Sequence, residues 1–294
     1  MKFKAHETFA IRKGWLNKGI RNVINNPEVF VSKTENPMDV LGIGSNMVKS
    51  LRYWMQATGI TAEPNYGHRT QTLTEIGRII YENDPYFEEI GSLWLVHYNL
   101  ACNVDIATSW YIFFNEFNQN EFTLNDFYSK VRKYVYMISP DKIPSERAID
   151  DDFKCIINTY VSRFKLHPEK INPEDNIESP LAELDLIELV SVNKGERVFR
   201  KNSPNINSIP LLILLAVIVD NAKEKKEIKI SSLQKDVCNV GKIYNLDTIT
   251  LFEALYKLEK MGYIKVIRTA GLDVIRLEMD MSALDCISAY YDNL

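Results

Sequence analysis

The chain has 294 residues, 46% of them hydrophobic, which is enough to bury the cores of two ordinary domains or three small ones and excludes a largely disordered protein. Its formal net charge of −4 does not by itself indicate a nucleic-acid-binding protein. The charge is unevenly distributed, however: residues 1–81 hold 11 Lys/Arg and 6 Asp/Glu, a net of +5, which leaves −9 for the remainder. A basic first quarter on an acidic body indicates polyanion contact confined to one end.

Cysteine usage and apolar segments predict a soluble cytoplasmic protein. The four cysteines lie far apart and form no Cys-x-x-Cys pair, which favours reduced thiols. The first residues, MKFKAHETF, lack the apolar stretch of a secretory signal peptide. The longest apolar run, Ile209–Val219, is shorter than the roughly 20 residues that a membrane span needs. We therefore expect no membrane association.

The N-terminal elements follow the order of a winged helix-turn-helix. Apolar residues at helical spacing, together with Asn36 and Pro37 as a helix start, predict helices joined by a glycine turn and followed by a polar hairpin. In chain order these are the helix Leu16–Ile24, the helix Pro37–Leu41, the turn Gly42–Ser45, the helix Asn46–Ala57, the hairpin Thr61–Thr72 and the helix Leu73–Tyr81.

The glycine turn in LGIGSNMVKS also invites comparison with a phosphate-binding loop. A Walker loop requires GxxxxGK[ST] after a buried strand, whereas Lys49 comes five residues after Gly44. A dinucleotide-binding loop requires GxGxxG after a strand, and a helix precedes this turn. Spacing and context exclude both, and they favour a short helix, a turn and a second helix.

A helix-turn-helix of this kind predicts a DNA-binding surface. Met47, Leu51, Trp54 and Met55 can share the inward face of the second helix. The residues expected outward on that helix, where they can contact phosphates and base edges, are Asn46, Lys49, Ser50, Arg52 and Tyr53. The predicted wing adds Tyr66, His68 and Arg69, and Arg12 and Lys13 are expected to position phosphates. A helical hairpin with a solvated charged face remains the alternative.

The rest of the chain predicts a helical middle and a second winged helix. Aromatic residues are dense between Ser92 and Phe117, helical stripes follow, and HPEKINPEDN has the composition of a linker. Alternating residues predict one hairpin at Leu186–Arg200 and another around Thr269–Gly271, which follows the helix Thr248–Met261. The fold class expected is mainly α with small β-hairpin wings. Its domains would be an N-terminal winged helix-turn-helix, a helical middle, a linker with hairpin and a C-terminal winged helix, at 1–91, 92–166, 167–207 and 208–294.

No residue pattern predicts catalysis, a cofactor or a metal. His6, beside Glu7, resembles half of an acid/base pair, but the four histidines are scattered without metal-binding spacing. Glu227-Ile228-Lys229, with Asp220 upstream, fits the Glu-x-Lys of restriction nucleases, yet no Pro-Asp strand precedes it, and we interpret the intervening AKEKK as a charged helix end. Asp150-Asp151-Asp152 is interpreted as a helix start that interacts favourably with the helix dipole. The sequence thus predicts a protein that is not an enzyme.

Three segments carry a family resemblance: HETF…RKGWLNKG…F within Phe3–Phe30, LGIGSNMVKSLRYWMQATGI from Leu41, and SPLAELDLIELV at Ser179–Val190. With them the chain resembles the bacterial family called domain of unknown function 4007, nearly end to end. The most specific block, LGxGxNMVxSxRYW, contains Gly42, Gly44, Asn46, Met47, Ser50, Arg52, Tyr53 and Trp54. Members are typically encoded beside phosphoadenosine-phosphosulfate-reductase-like proteins in clusters for DNA phosphorothioation and phage exclusion. The resemblance implies a role in such a system, and no catalytic residues.

The expected function is therefore that of a DNA-binding accessory protein, which brings a sulfur-handling partner of the reductase-like type to double-stranded DNA or senses modified DNA. A transcription regulator of the same cluster is one alternative, and it predicts a homodimer on a palindromic site. A scaffold that binds the sulfur-transfer partner through its C-terminal domain is another, and it predicts no DNA affinity.

Overall fold

The computed structural model describes residues 1–64, 67, 69–162, 166, 178–193, 195–269 and 272–294. The predicted linker segment at 167–176, and Tyr66 and His68 of the predicted wing, lie outside these residues. The chain forms two compact units, Met1–Lys201 and Asn202–Leu294. It is mainly helical with three small antiparallel sheets among the described residues, which confirms the coarse fold class.

The N-terminal part of the first unit has the predicted order of helices and hairpin. Its elements are α1 (Trp15–Asn25), α2 (Pro37–Leu41), α3 (Ser45–Ala57), β1 (Thr61–Ala62), β2 (Thr72–Leu73) and α4 (Glu75–Asn83). The Asn36 side chain accepts a hydrogen bond from the Met38 amide and begins α2. Gly42 ends that helix at φ 61°, in the left-handed region where glycine is favoured. The predicted turn between α2 and α3 is therefore confirmed.

Helix α4 packs tightly against the end of the α3 segment. The Thr74 hydroxyl donates to the Gly59 carbonyl at 2.6 Å and accepts from the Gly77 amide, so it both caps α4 and ties it to the preceding hairpin. A Cβ at Gly77 would lie 2.2 Å from the Ile60 carbonyl oxygen. Only glycine permits this approach, which fixes the β1–β2 hairpin against the helix that follows.

The middle of the first unit is helical, and its aromatic residues form the core, as predicted. Its helices are α5 (Ile90–Cys102), α6 (Thr108–Tyr111), a π-helix (Ile112–Glu116), α7 (Leu124–Ile138), a 3₁₀ turn (Pro140–Lys142) and α8 (Glu146–Tyr160). Trp94, Trp110, Phe113 and Phe114 are all at most 1% exposed. The aromatic cluster therefore offers no stacking surface for nucleic-acid bases.

A three-stranded sheet closes the first unit. After the 3₁₀ turn Pro180–Leu184, strands β4 (Ile187–Asn193) and β5 (Glu196–Lys201) form the predicted hairpin, and β3 (Glu121–Phe122) pairs with β5. The Lys201 ammonium donates to the carbonyls of Phe113 and Phe117, both at 2.6 Å, and lies 4.6 Å from the Phe113 ring centroid. This cation stabilises the end of the π-helix, whose last carbonyls lack helical partners.

The described residues of the second unit, 202–269 and 272–294, form five α-helices and a three-stranded sheet. After a 3₁₀ turn (Ile206–Ser208), its elements are α9 (Leu211–Ala222), β6 (Glu227–Lys229), α10 (Ile230–Lys235), α11 (Val240–Ile243), α12 (Thr248–Lys260), β7 (Ile264–Thr269), β8 (Leu272–Leu277) and α13 (Ala283–Asp292). The sheet order is β6-β8-β7, antiparallel throughout. The apolar run Ile209–Val219 leads into α9, which begins at Leu211 and is buried from Leu212 to Ile218, and none of the helices in the described segments has the length and apolarity to cross a bilayer.

Helix α9 ends at Ala222, the first residue of the predicted helix end AKEKK, and Glu227-Ile228-Lys229 forms strand β6, which pairs with β8. One local interpretation from the sequence was wrong. The three aspartates at 150–152 do not start a helix: α8 begins four residues earlier at Glu146, where the Ser145 side chain accepts from the Ala148 amide. The acids therefore lie beyond the first turn, where the helix dipole has little influence.

Candidate nucleic-acid interface

Helix α3 is exposed only near its start. Asn46 and Lys49 are exposed, as predicted, and Arg52 is partly buried. Ser50 and Tyr53, which we expected to face outward, are 0% and 7% exposed. That expectation is wrong for both. At Tyr53 the N-terminal segment covers the helix: the ring centroids of Tyr53 and His6 lie 6.1 Å apart, and the neighbouring Trp54 indole donates to the Phe9 carbonyl at 3.0 Å. Ser50 and Tyr53 are therefore inaccessible to a nucleic acid in this structure.

A cleft of about 230 Å³ lies beside the exposed start of α3. Four basic side chains from three separate segments line it: Lys2, Lys49 and Arg52 of α3, and Arg69 from the β1–β2 connection. Glu63 is the one acid among its lining residues, so the lining has a formal net charge of +3. The other lining residues are Ala5, Phe30, Tyr53, Gln56 and Ile106. Converging cations in a concave site are suited to bind phosphate oxygens.

Glu63 fixes the guanidinium of Arg52 in this cleft. Arg52 donates through Nε to Glu63 Oε2 at 2.9 Å and through Nη2 to Glu63 Oε1 at 2.5 Å, a bidentate pair whose side chains are 20% and 11% exposed. The side-chain amide of Gln56 donates to the same carboxylate at 3.2 Å. The side-chain amide of Gln71 donates to the backbone carbonyl of Arg52 at 3.1 Å. Helix α3 and the β1–β2 hairpin are thereby held together, with Nη1 of Arg52 outside the bidentate pair.

The predicted site residues divide into two groups. Lys49, Arg52, Tyr53 and Arg69 meet at the cleft, although Tyr53 belongs to its buried wall. Arg12 and Lys13 are not among the cleft residues: the Arg12 guanidinium lies over the rings of Phe9 and Trp15, at 5.6 and 5.3 Å from their centroids. Lys13 is exposed.

Lys2 is the basic residue of the cleft that was not predicted from the sequence, and Glu63 was not predicted as a site residue either. The backbone amide of Lys2 donates to the Thr108 hydroxyl at 2.9 Å, which brings the start of the chain beside the cleft. The segment before α1 has no helical or strand periodicity, so its position was not predictable. The excess of basic residues in the first quarter of the chain was the one signal that pointed to it.

A buried polar network holds the N-terminal segment against α6 and α8. The Asp152 carboxylate accepts from the Lys4 amide at 2.8 Å, from His6 Nε2 at 2.7 Å and from the Ser109 hydroxyl at 2.5 Å. Because His6 Nδ1 accepts from the Thr8 amide, Nε2 is the nitrogen that donates to Asp152. His6 and Asp152 are each 1% exposed, so this network anchors the segment and has no access for a substrate.

Tyr53 lies between the cleft and this network. Its ring centroid is 6.1 Å from that of His6, in an edge-to-face arrangement. Burial, and next the negative charge of Asp152, raise the pKa of Tyr53 well above its ordinary value. The phenol is therefore neutral at physiological pH, which excludes it as a base.

The three consecutive aspartates do not form a metal site. Asp150 pairs with Lys154 at 2.6 Å, Asp151 with Lys4 at 2.7 Å, and Asp152 belongs to the buried network. Each carboxylate thus has a different partner. Over the whole described part of the chain, no group of three or more His, Cys, Asp or Glu side chains could hold a metal ion.

Comparison with known proteins gives a family and two similar folds. No curated protein sequence matches the chain. Two crystal structures do, one of SspB and one of magnesium ion-bound SspB, each with a TM-score of 0.84 and 28% sequence identity over 99% of this chain and 88% of the SspB chain. The model of the protein family of unknown function DUF4007 matches residues 3–291, so the chain belongs to this family, as the resemblance in its sequence predicted.

Proposed function

We propose that this protein binds double-stranded DNA through the basic cleft beside α3, as a non-enzymatic accessory of a DNA phosphorothioation or phage-defence system. The convergence of Lys2, Lys49, Arg52 and Arg69 on one concave surface carries the proposal. Contacts with phosphates supply most of the non-specific affinity of proteins for DNA. The cleft brings together four basic side chains that can make such contacts, in a chain whose overall charge is negative. The defence role rests on the gene clusters in which similar proteins are typically encoded.

The arrangement of the N-terminal elements supports a winged helix-turn-helix. A short α2, a glycine turn and α3 are followed by the antiparallel pair β1–β2, in which Thr61 pairs with Leu73. In such domains the start of the second helix contacts base edges in the major groove. Here that position belongs to Asn46 and Lys49, the two exposed residues among those predicted on α3. Base contacts would come from them and phosphate contacts from the cleft.

The second unit supports a winged helix that contacts protein. Helices α9, α10 and α12 with the sheet β6-β8-β7 follow the order of a winged domain. The exposed side of α12 carries Ile249 and Tyr256, which are 73% and 43% exposed, and an acid at Glu253. This surface is less basic than the N-terminal cleft. It suits contact with protein.

The first experiment is fluorescence anisotropy of labelled duplex DNA, plain or containing phosphorothioate, titrated at several salt concentrations. We expect the logarithm of the affinity to fall linearly with that of the salt concentration, with a slope of about −0.9 per phosphate contacted. A preference for the sulfur-containing duplex would indicate a sensor of modification. Absence of binding at low salt would reject the proposal in favour of the scaffold.

Charge reversal locates the binding surface. Lys49→Glu and Arg69→Glu change exposed residues of the cleft and should together abolish binding without unfolding the protein. Arg52→Glu is a poorer test, because it would place two carboxylates together at a partly buried position. Lys133→Glu on the exposed side of α7 is the matched control. Equal losses of affinity in the control and the cleft variants would contradict the assignment of the cleft.

Magnesium is examined in the same assay, because one of the similar SspB structures contains this ion. We expect binding without strand cleavage when MgCl₂ is added to plain duplex. Nicked or cut DNA on a denaturing gel, absent when EDTA is added, would contradict the non-enzymatic assignment.

A further inference from the structure

The exposed side of α12 has a regular alternation of apolar and charged residues. Ile249, Glu253, Tyr256 and Lys260 follow at intervals of four, three and four residues, which places them in one line along the helix. All four are exposed. The opposite face of the same helix is buried through Leu251, Ala254, Leu255 and Leu258. Helix α12 therefore has a core-facing side and a second, partly apolar side that faces solvent.

The residues beside this line do not give it the character of a DNA-reading surface. The Arg268 guanidinium lies 4.7 Å from the Phe252 ring centroid and donates to Asp273 at 2.9 Å, so its charge is compensated within the hairpin β7–β8. Tyr256 packs against Phe252 at 6.1 Å between ring centroids. An acid at Glu253 in the centre of the helix would repel phosphates.

The line is complementary to itself when a second α12 runs in the opposite direction. Glu253 and Lys260 lie on either side of Tyr256, about 10 Å apart along the helix axis at 1.5 Å per residue. A two-fold axis next to Tyr256 brings Glu253 of each copy opposite Lys260 of the other, with the two tyrosines between them. The same surface on both copies then forms an isologous interface with two ion pairs.

We propose that this protein forms a two-fold symmetric homodimer through antiparallel contact of α12 with α12 of a second copy. Tyr256 supplies the apolar contact next to the axis, and the Glu253–Lys260 pairs set the direction and register of the helices, because exposed ion pairs contribute more to specificity than to affinity. One helix face on each copy is a small interface. The dimer is therefore expected to dissociate on dilution into the low micromolar range.

Sedimentation velocity on the full-length chain over a hundredfold range of concentration tests this. We expect a monomer–dimer equilibrium for the wild type. In Glu253→Lys, the new lysine of each copy faces Lys260 of the other copy across the axis, so the dissociation constant should rise at least tenfold. Lys260→Glu places two glutamates opposite each other and should have the same effect. The double variant E253K/K260E exchanges the charges and should restore the dimer. Tyr256→Ala should leave a monomer.

Lys235→Glu is the matched control for Lys260→Glu, because each lysine lies in the last turn of a helix of the same unit. It should dimerise like the wild type, and thermal melting shows whether each variant is folded. A monomeric wild type at the highest concentration overturns the proposal. A dimer that survives Glu253→Lys overturns this interface, and single variants that the double exchange does not rescue overturn the antiparallel register.

Discussion

The exchange Glu63→Gln separates two roles that Glu63 has in the basic cleft. Its carboxylate orients the Arg52 guanidinium, and it also cancels one of the four positive charges that line the site. Glutamine removes the negative charge and raises the formal charge of the lining from +3 to +4. Its amide keeps one acceptor oxygen but places an NH₂ group against the second Arg52 donor. Arg52 is thereby freed from one of its two hydrogen bonds.

Two magnitudes follow from this geometry. A phosphate held by the outer edge of Arg52 would lie about 7 Å from the Glu63 carboxylate, and at an effective dielectric constant of about 40 the removed repulsion is about 1 kcal/mol. We therefore expect roughly fivefold tighter binding of plain duplex at low salt. The plot of log affinity against log salt concentration should become steeper by about 0.9, the value for one phosphate contact. The lost charge-assisted hydrogen bond should lower the free energy of unfolding by about 1–2 kcal/mol, or a few degrees in Tm.

Anisotropy titration at several salt concentrations and thermal melting measure both effects. Glu188→Gln is the matched control, since Glu188 in the hairpin β4–β5 also pairs with an arginine: Nε and Nη2 of Arg200 lie 2.7 and 2.6 Å from its Oε1. It should leave DNA affinity unchanged. If Glu63→Gln binds DNA more weakly and with a shallower salt slope, the orientation of Arg52 outweighs the charge, and the electrostatic reasoning is refuted.

The remaining predictions concern buried groups. Asp152→Asn replaces an acceptor of three hydrogen bonds and should cost about 3 kcal/mol in urea unfolding, with faster hydrogen exchange around His6. Lys201→Met removes the ammonium that donates to two carbonyls at the end of the π-helix, and it should lower the free energy of unfolding by about 2–3 kcal/mol in the same assay. Lys201→Arg should lower it by less. Burial raises the pKa of Cys286 to about 11 from an ordinary value of 9.0. The stability that the protonated thiol contributes to the folded state is therefore fully present below pH 9 and is lost as the pH rises through 11. Between pH 8 and 11 the free energy of unfolding of the wild type should fall by about 1–2 kcal/mol more than that of Cys286→Ala, measured by urea unfolding at each pH.

Sequence periodicity located most helices and both long hairpins because these elements are determined by local patterns. The spacing of apolar residues and the Asn36 cap predicted α2 as Pro37–Leu41, which agrees with the structure. Strand β3 was not predicted, since two residues carry no periodicity. Phe122 is in a strand because it pairs with Phe199, 77 positions later, which no local pattern encodes.

The candidate site was harder to predict for a related reason. The spacing of apolar residues along α3 predicts which side of the helix faces the core, and Leu51, Trp54 and Met55 are indeed buried. It does not show that a second neighbour covers the helix elsewhere. Residues 1–9 do so through irregular backbone, with positive φ at Lys4 and the buried His6–Asp152 hydrogen bond. Burial of Tyr53 thus depends on its contact with His6, which lies more than 40 positions away in sequence.

Neighbouring segments cover α3 on two sides, which limits how this helix can contribute to the proposed recognition of DNA. The fully exposed positions among those predicted on α3 are Asn46 and Lys49, so base contacts would be restricted to these two, whereas the cleft offers several cations to the phosphates. Each good base contact discriminates by about 1–3 kcal/mol, and phosphate contacts discriminate hardly at all. One such helix therefore favours an accessory that binds many duplex sequences over a regulator of a single operator. A regulator would need the second copy to double its base contacts, which makes the oligomeric state and the sequence preference of this protein two aspects of one question.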